Sequence, residues 1–210
     1  MKKILILSSL FLLCSCSNIE PSLINPSNSN STQISEYIPQ IKTAKVYLNN
    51  IDETEGTDFS KEPALSSFKN KFLNTDPLLF NDVTGVSKIF ATELKINNET
   101  LVHSVRLGSS STQGQFVVNT KVPVHKIIVN AHDYINYVEY NNSWIHDKGA
   151  LEINGVSKEL QHSNNDQIIN NTLIYEFEAP TTSFTFKNNQ IDTNTKYRIQ
   201  LNYIEFMYTI

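Results

Sequence analysis

The sequence predicts a mostly β protein: an antiparallel jelly-roll β-sandwich with one short helix near the N-terminal side. Three observations carry this. Apolar residues alternate with polar ones in about eight short runs between residues 41 and 210. Turn chemistry separates the runs, with Asn154-Gly155 the strongest hairpin signal. Only one stretch shows helical spacing, and a chain with many short strands and a single helix closes most simply as a sandwich.

The N-terminus sets the domain plan. Lys2 and Lys3 precede an apolar run from Ile4 to Leu13 that is too short to span a bilayer, so residues 1–15 read as a signal peptide. Leu13-Cys14-Ser15-Cys16 resembles the lipobox of bacterial lipoproteins, which implies cleavage after Ser15 and a lipid on Cys16. Residues 16–40 are rich in Ser, Asn and Pro without periodicity and are expected to be a flexible tether. A single domain is expected over residues 41–210, exported and lipid-anchored to the outer face of the cell membrane. Both cysteines precede it, so its stability rests on its core. Without Lys2 and Lys3 the chain has 15 basic residues, 17 minus 2, against 21 acidic ones, a net charge of −6. Such a balance argues against nucleic acid as a partner.

Ala44, Val46 and Leu48 alternate with Lys45 and Tyr47 as a first strand. Leu65, Phe68 and Phe72 then predict a helix from about Pro63 to Leu73, with proline at its entry. Phe90 to Ile96 and Leu101 to Leu107 make a strand pair around Asn97-Asn98. The stretch Arg106 to Tyr134 is read as the centre of the molecule: Gln115–Asn119 and Val124–Ala131 are expected to pair as a hairpin through Thr120–Pro123, with Gly108 and Gly114 bracketing a Ser/Thr corner. Leu151 and Ile153 lead into Asn154-Gly155, Leu173 to Phe177 and Phe184 to Phe186 form two more strands, and Tyr197 to Tyr203 begin the last. That strand changes phase to Ile204, Phe206 and Tyr208, which predicts a β-bulge near Tyr203-Ile204.

The succession VRLGSSSTQGQFVV, VHKIIVNAHDY, ALEINGVSKEL, SFTF and KYRIQLNYIEFMY resembles the galactose-binding-like (discoidin-type) β-sandwich domains of secreted proteins from low-GC Gram-positive bacteria and mollicutes. The resemblance is strongest over residues 85–210. It implies a non-catalytic binding or adhesion module, often for carbohydrate. The sequence departs from that pattern in DYINYVEYNNSWIHDKG, read here as a long loop holding Tyr134, Tyr137, Tyr140, Trp144, His146 and Asp147.

Flat aromatic rings on such a loop match the C–H face of a sugar, and polar tips bond its hydroxyls, so those six residues are the candidate ligand contacts. The competing reading has Tyr137 and Trp144 plugging the core, with Tyr134–Tyr140 as an edge strand. Glu205 stands where many of these domains place a calcium-binding glutamate, but it reads as an outward strand residue, and no metal site is expected. His132-Asp133 and His146-Asp147 are read as surface residues, Gly108–Ser111 as a turn, and Asp52, Glu53, Glu55 and Asp58 as a solvated acidic loop. No cofactor and no catalytic residue is implied. The partners expected are the membrane, through the lipid on Cys16, and a glycan or surface protein. The alternative function is a structural or assembly lipoprotein that pairs with another envelope protein and takes no small ligand.

Overall fold

The structure, a computed structural model, describes residues 38–49, 51–96, 100–138, 143–147, 149–163, 168–191 and 197–210, and within them the side chains outside 94–102 and 135–146. The signal peptide, Cys16 and nearly all of the tether lie outside the described residues, as does the Asn97-Asn98 turn. Residues Ile38–Ile210 form one compact unit. It is mostly β with one short helix, as the sequence predicts.

Strand β1 (Ile41–Tyr47) precedes helix α1 (Ala64–Leu73). Then come β2 (Phe80–Ser87), β3 (Ile89–Ile96), β4 (Thr100–Leu107), β5 (Gln115–Val138), β6 (Ser143–Asp147), β7 (Gly149–Ile153), β8 (Val156–Glu159), β9 (Asn171–Gln190) and β10 (Ile199–Thr209). The pairing order is β3-β4-β10-β5-β9-β7-β8, with β1 added to β10 and with β2 and β6 added to β5. Every pairing between these strands is antiparallel.

The expected central hairpin is instead one long strand. Both Gln115–Asn119 and Val124–Ala131 pair with β9, so the chain bends at Thr120–Pro123 without reversing. At the bend, residues 120–123 pass only Thr182; immediately after it, residues 177–180 of β9 pass only His125, which restores the register. Pro123 and Pro180 sit in these two mutually compensating offsets, where a missing N–H costs no ladder bond. The bends keep β5 and β9 paired over their whole common length in one continuous sheet. For the same reason Phe184 and Phe186 continue the strand of Leu173 and Tyr175 and do not begin a new one.

Burial follows the pleat. Ile127, Val129 and Ala131 of β5 point inward, as do Leu173 and Tyr175 of β9 and Ile204, Phe206 and Tyr208 of β10. Helix α1 closes the core by presenting Ala64, Phe68 and Phe72, spaced i, i+4, i+8; Leu65, expected inside, is only half-buried. Phe68 and Phe72 meet Phe59, Phe80, Phe116 and Phe206 at ring centroid distances of 5.5–6.5 Å. Each buried ring stabilises the domain by ~1.5–3 kcal/mol. A ten-residue helix is marginal alone, and this packing is what holds it. On β3 the buried apolar residues are Ile89 and Ala91, opposite Leu107 and Val105, and Thr92 is buried from the other face. Phe90 lies on the other face under the Arg106 guanidinium, 4.7 Å from its ring centroid.

Candidate functional site

Past Asp133, strand β5 has left β9 and β10 and pairs only with β6. The stretch expected to be a long loop is therefore a two-stranded ribbon, with Tyr134 opposite Asp147, Ile135 opposite His146 and Tyr137 opposite Trp144. Tyr140 lies outside the described residues, and so do the side chains of Tyr137, Trp144 and His146. The ribbon was hard to read because Tyr and Asn interrupt its alternation.

Its root is buried and charged. Arg198, from the segment entering β10, donates through Nε to the Asp147 carboxylate, and both side chains are almost wholly buried. The same guanidinium lies 4.0 Å from the Tyr134 ring centroid, with Arg106 5.4 Å away. Tyr134 is 6% exposed and Asp147 4%. These two residues, expected as ligand contacts, are consequently committed to the root: a carboxylate so buried needs its cation, and the ring fills the space between two arginines. Gly149 follows at a point where a Cβ would meet Ile199 Cγ2 at 2.3 Å, so any larger residue would force the buried Ile199 side chain to move where β7 passes β10.

His132 and Asp133, expected on the surface, are buried too. Asp133 accepts hydrogen bonds from the Ser163 hydroxyl and the Ser163 N–H, and lies 3.0 Å from His162 Nδ1. These are the residue types of a catalytic triad in a different wiring. The serine donates to the carboxylate and not to an imidazole, which is not the wiring that activates a serine nucleophile. Burial pushes the His132 imidazole below its ordinary pKa, against the opposing pull of the Asp133 carbonyl and carboxylate.

The acidic loop is partly structural. Asp58 accepts from Ser60 N–H and Oγ. Burial would raise its carboxyl, but those bonds and the charges of Lys61 and Lys88 hold it below the usual range. Asp52, Glu53 and Thr54 line a shallow cleft with Glu93 and His103. No group of three or more His, Cys, Asp or Glu among the described residues is arranged to hold a metal ion. Glu205 points outward and faces Lys45 at 3.8 Å.

One surface was not singled out from the sequence: the outward face of β1-β10-β5-β9. Its register aligns Tyr47, Tyr203, Asn130 and Thr172 in a row across the four strands, with Lys45, Glu205, Ile128 and Ile174 in the next. Tyr47 is 57% exposed and its ring centroid lies 6.2 Å from that of Tyr203. Bordering these rows are two shallow grooves that meet at Glu176: Ile41, His125 and Met207 line one, Val156, Lys158 and Ile174 the other.

No family model matches this chain, and no curated protein does. Among solved structures it is similar to the CBM36-1 domain of a multidomain xylanase from the hindgut metagenome of Trinervitermes trinervoides, at 12% identity and a TM-score of 0.32, over 59% of this chain and 95% of that one. It is also similar to dimeric latent PorU from Porphyromonas gingivalis, at 9% identity and a TM-score of 0.28, over 82% of this chain and 13% of that one.

Proposed function

We propose that this protein is a non-catalytic carbohydrate-binding module held at the outer face of the cell membrane by a lipid on Cys16, with residues 16–40 giving it reach. The observation that supports the binding role is the ribbon: the register sets Tyr137 directly opposite Trp144, past the last pairing with the sandwich, while Arg198, Asp147, Tyr134 and Asp133 lock the base. A rigid root beneath an aromatic pair limits the entropy that a ligand must remove, which is how loops on a firm scaffold gain affinity. The test is a glycan array probed with the full chain, with and without calcium. Trp144→Ala and Tyr137→Ala are expected to abolish binding with little change in thermal midpoint. If both variants unfold, those aromatics are core and the site is misplaced. Cys16→Ser is expected to release the protein from the membrane fraction, and retention there would remove the anchor from the proposal.

The second reading is a lipoprotein that pairs with another envelope protein. The exposed Ile41 (73%), Val156 (51%) and Ile174 (41%), beside the grooves that meet at Glu176, favour it. Crosslinking at the intact cell surface, with Ile174→Ser as the control, separates it from the first: it requires a discrete partner that the control loses.

A further inference from the structure

The bulge in β10 builds a second surface with the features of a binding site. Leu201 pairs with Ala131 and Tyr203 with Asn130, which leaves Asn202 as the extra residue. Alternation breaks there, so Asn202 and Tyr203, neighbours in sequence, both reach the outer surface between the buried Leu201 and Ile204. The main chain is fixed at this point, since the Asn202 carbonyl accepts from Leu48 N–H at 2.8 Å and Asn49 N–H at 3.1 Å. The side chain is fixed as well: Nδ2 donates to Asn130 Oδ1 at 2.8 Å and to Asn170 Oδ1 at 2.9 Å. This wiring leaves Asn202 Oδ1 as an acceptor and the amide nitrogens of Asn130 and Asn170 as donors, a mixed set suited to hydroxyl groups, which both donate and accept.

Tyr203 and the exposed Tyr47 stand next to these amides. At ~4.8 Å per strand, the row from Tyr47 through Tyr203 and Asn130 to Thr172 spans ~14 Å, which fits a short oligosaccharide better than a single sugar. Charge narrows the ligand further. Lys45 faces Glu205 at 3.8 Å and packs over the Tyr203 ring at 3.6 Å, and Lys126 faces Glu176 at 2.9 Å. The two lysines nearest these rows, Lys45 and Lys126, therefore each face a carboxylate. A polyanion would have to displace Glu205 and Glu176 to reach them, whereas a neutral chain need displace nothing.

We propose that the outward face around Tyr47, Tyr203, Asn130, Asn170 and Asn202 binds an uncharged glycan chain. It shares the ligand class with the reading above and stands on different residues. The test is affinity electrophoresis of the full chain through gels holding neutral polysaccharides (galactomannan, xyloglucan, mixed-linkage glucan) or acidic ones (polygalacturonate, hyaluronan). Retardation is expected with at least one neutral polysaccharide, weakened about tenfold by Tyr203→Ala and severalfold by Asn170→Ala. Asn170 is exposed and outside any strand, so its variant should keep the wild-type thermal midpoint and remains informative if Tyr203→Ala disturbs the sheet. Binding to acidic polysaccharides alone overturns the proposal, as does no binding to any. Binding that survives both variants but is lost in Trp144→Ala overturns this site and leaves the ribbon standing. Crosslinking of this face to a protein, without glycan binding, overturns it in favour of a docking role.

Discussion

Replacing Arg198 with methionine removes the cation that pairs with Asp147 among the described residues, in a place where both side chains are nearly inaccessible to water. Two losses combine. An uncompensated buried carboxylate costs about 3–5 kcal/mol, and losing the guanidinium from the Tyr134 face costs a further ~0.5–2 kcal/mol. Asp147→Leu leaves the arginine buried without its anion and is expected to cost about the same as the first loss alone. The double variant exchanges an ion pair for an apolar contact and should recover much of this, because desolvating both charges is itself unfavourable. The expected coupling is at least ~2 kcal/mol, a sizeable share of the ~5–15 kcal/mol that typically holds a domain together. Urea denaturation of the four proteins at neutral pH measures it. Single-variant losses that simply add, within ~0.5 kcal/mol, would show that the two groups do not depend on each other and that the ribbon has no charged root.

Two further outcomes concern His132 and a pair of glycines. His132 is held neutral in the fold, with its pKa below the ~6.5 of an exposed imidazole. Below that value the unfolded chain binds a proton that the folded chain refuses, so the stability His132 contributes is intact above pH ~6.5 and is lost as pH falls toward its folded pKa. Denaturation midpoints for wild type and His132→Gln across that interval should converge on acidification, and parallel curves would refute the assignment. Gly108 and Gly56 both have positive φ, +93° and +85°, but a Cβ at Gly108 would lie 1.9 Å from the Tyr197 carbonyl oxygen while one at Gly56 meets nothing within 4 Å. Gly56→Ala should cost only the ~1–3 kcal/mol of backbone strain and Gly108→Ala distinctly more. Equal thermal shifts would mean that the close approach to Tyr197 does not exist.

Local signals were legible wherever one residue type had one physical meaning. Asn154-Gly155 closes β7 on β8 with φ of +50° and +85°, the left-handed pair that the dipeptide permits. The phase change in the last strand is the bulge at Asn202, one residue before the expected position. Helix α1 begins one residue past Pro63. What failed was the meaning of proline within a β-rich run. Thr120–Pro123 has the composition of a turn, and a turn and a bend in a long strand both tolerate a missing N–H. Only the partner strand distinguishes them: both halves of β5 lie along β9. Asp133, Asp147 and Arg198 were misread for a related reason. Charged residues in an irregular stretch are ordinarily solvated, and nothing near Asp147 in sequence reveals an arginine 51 positions away.

The outer sheet face shows why a binding surface on a sandwich is harder to read than its core. Inward positions repeat along each strand and identify themselves by alternation. Outward positions look alike whether they meet water or a ligand, and here the set is divided among β1, β5, β10 and the segment before β9. Tyr47, Asn130, Asn170 and Asn202 become neighbours only through pairing. The bulge was the one local clue, since an extra residue in a central strand has to place its side chain somewhere. With Leu201 and Ile204 buried, the outer face received Asn202 and Tyr203 together. An extra residue also leaves its backbone out of the ladder, and here the residues just after β1, Leu48 and Asn49, take up that carbonyl, so the two side chains rest on a fixed main chain. A bulge that served only to adjust the twist would not need three asparagine side chains joined across its outer surface.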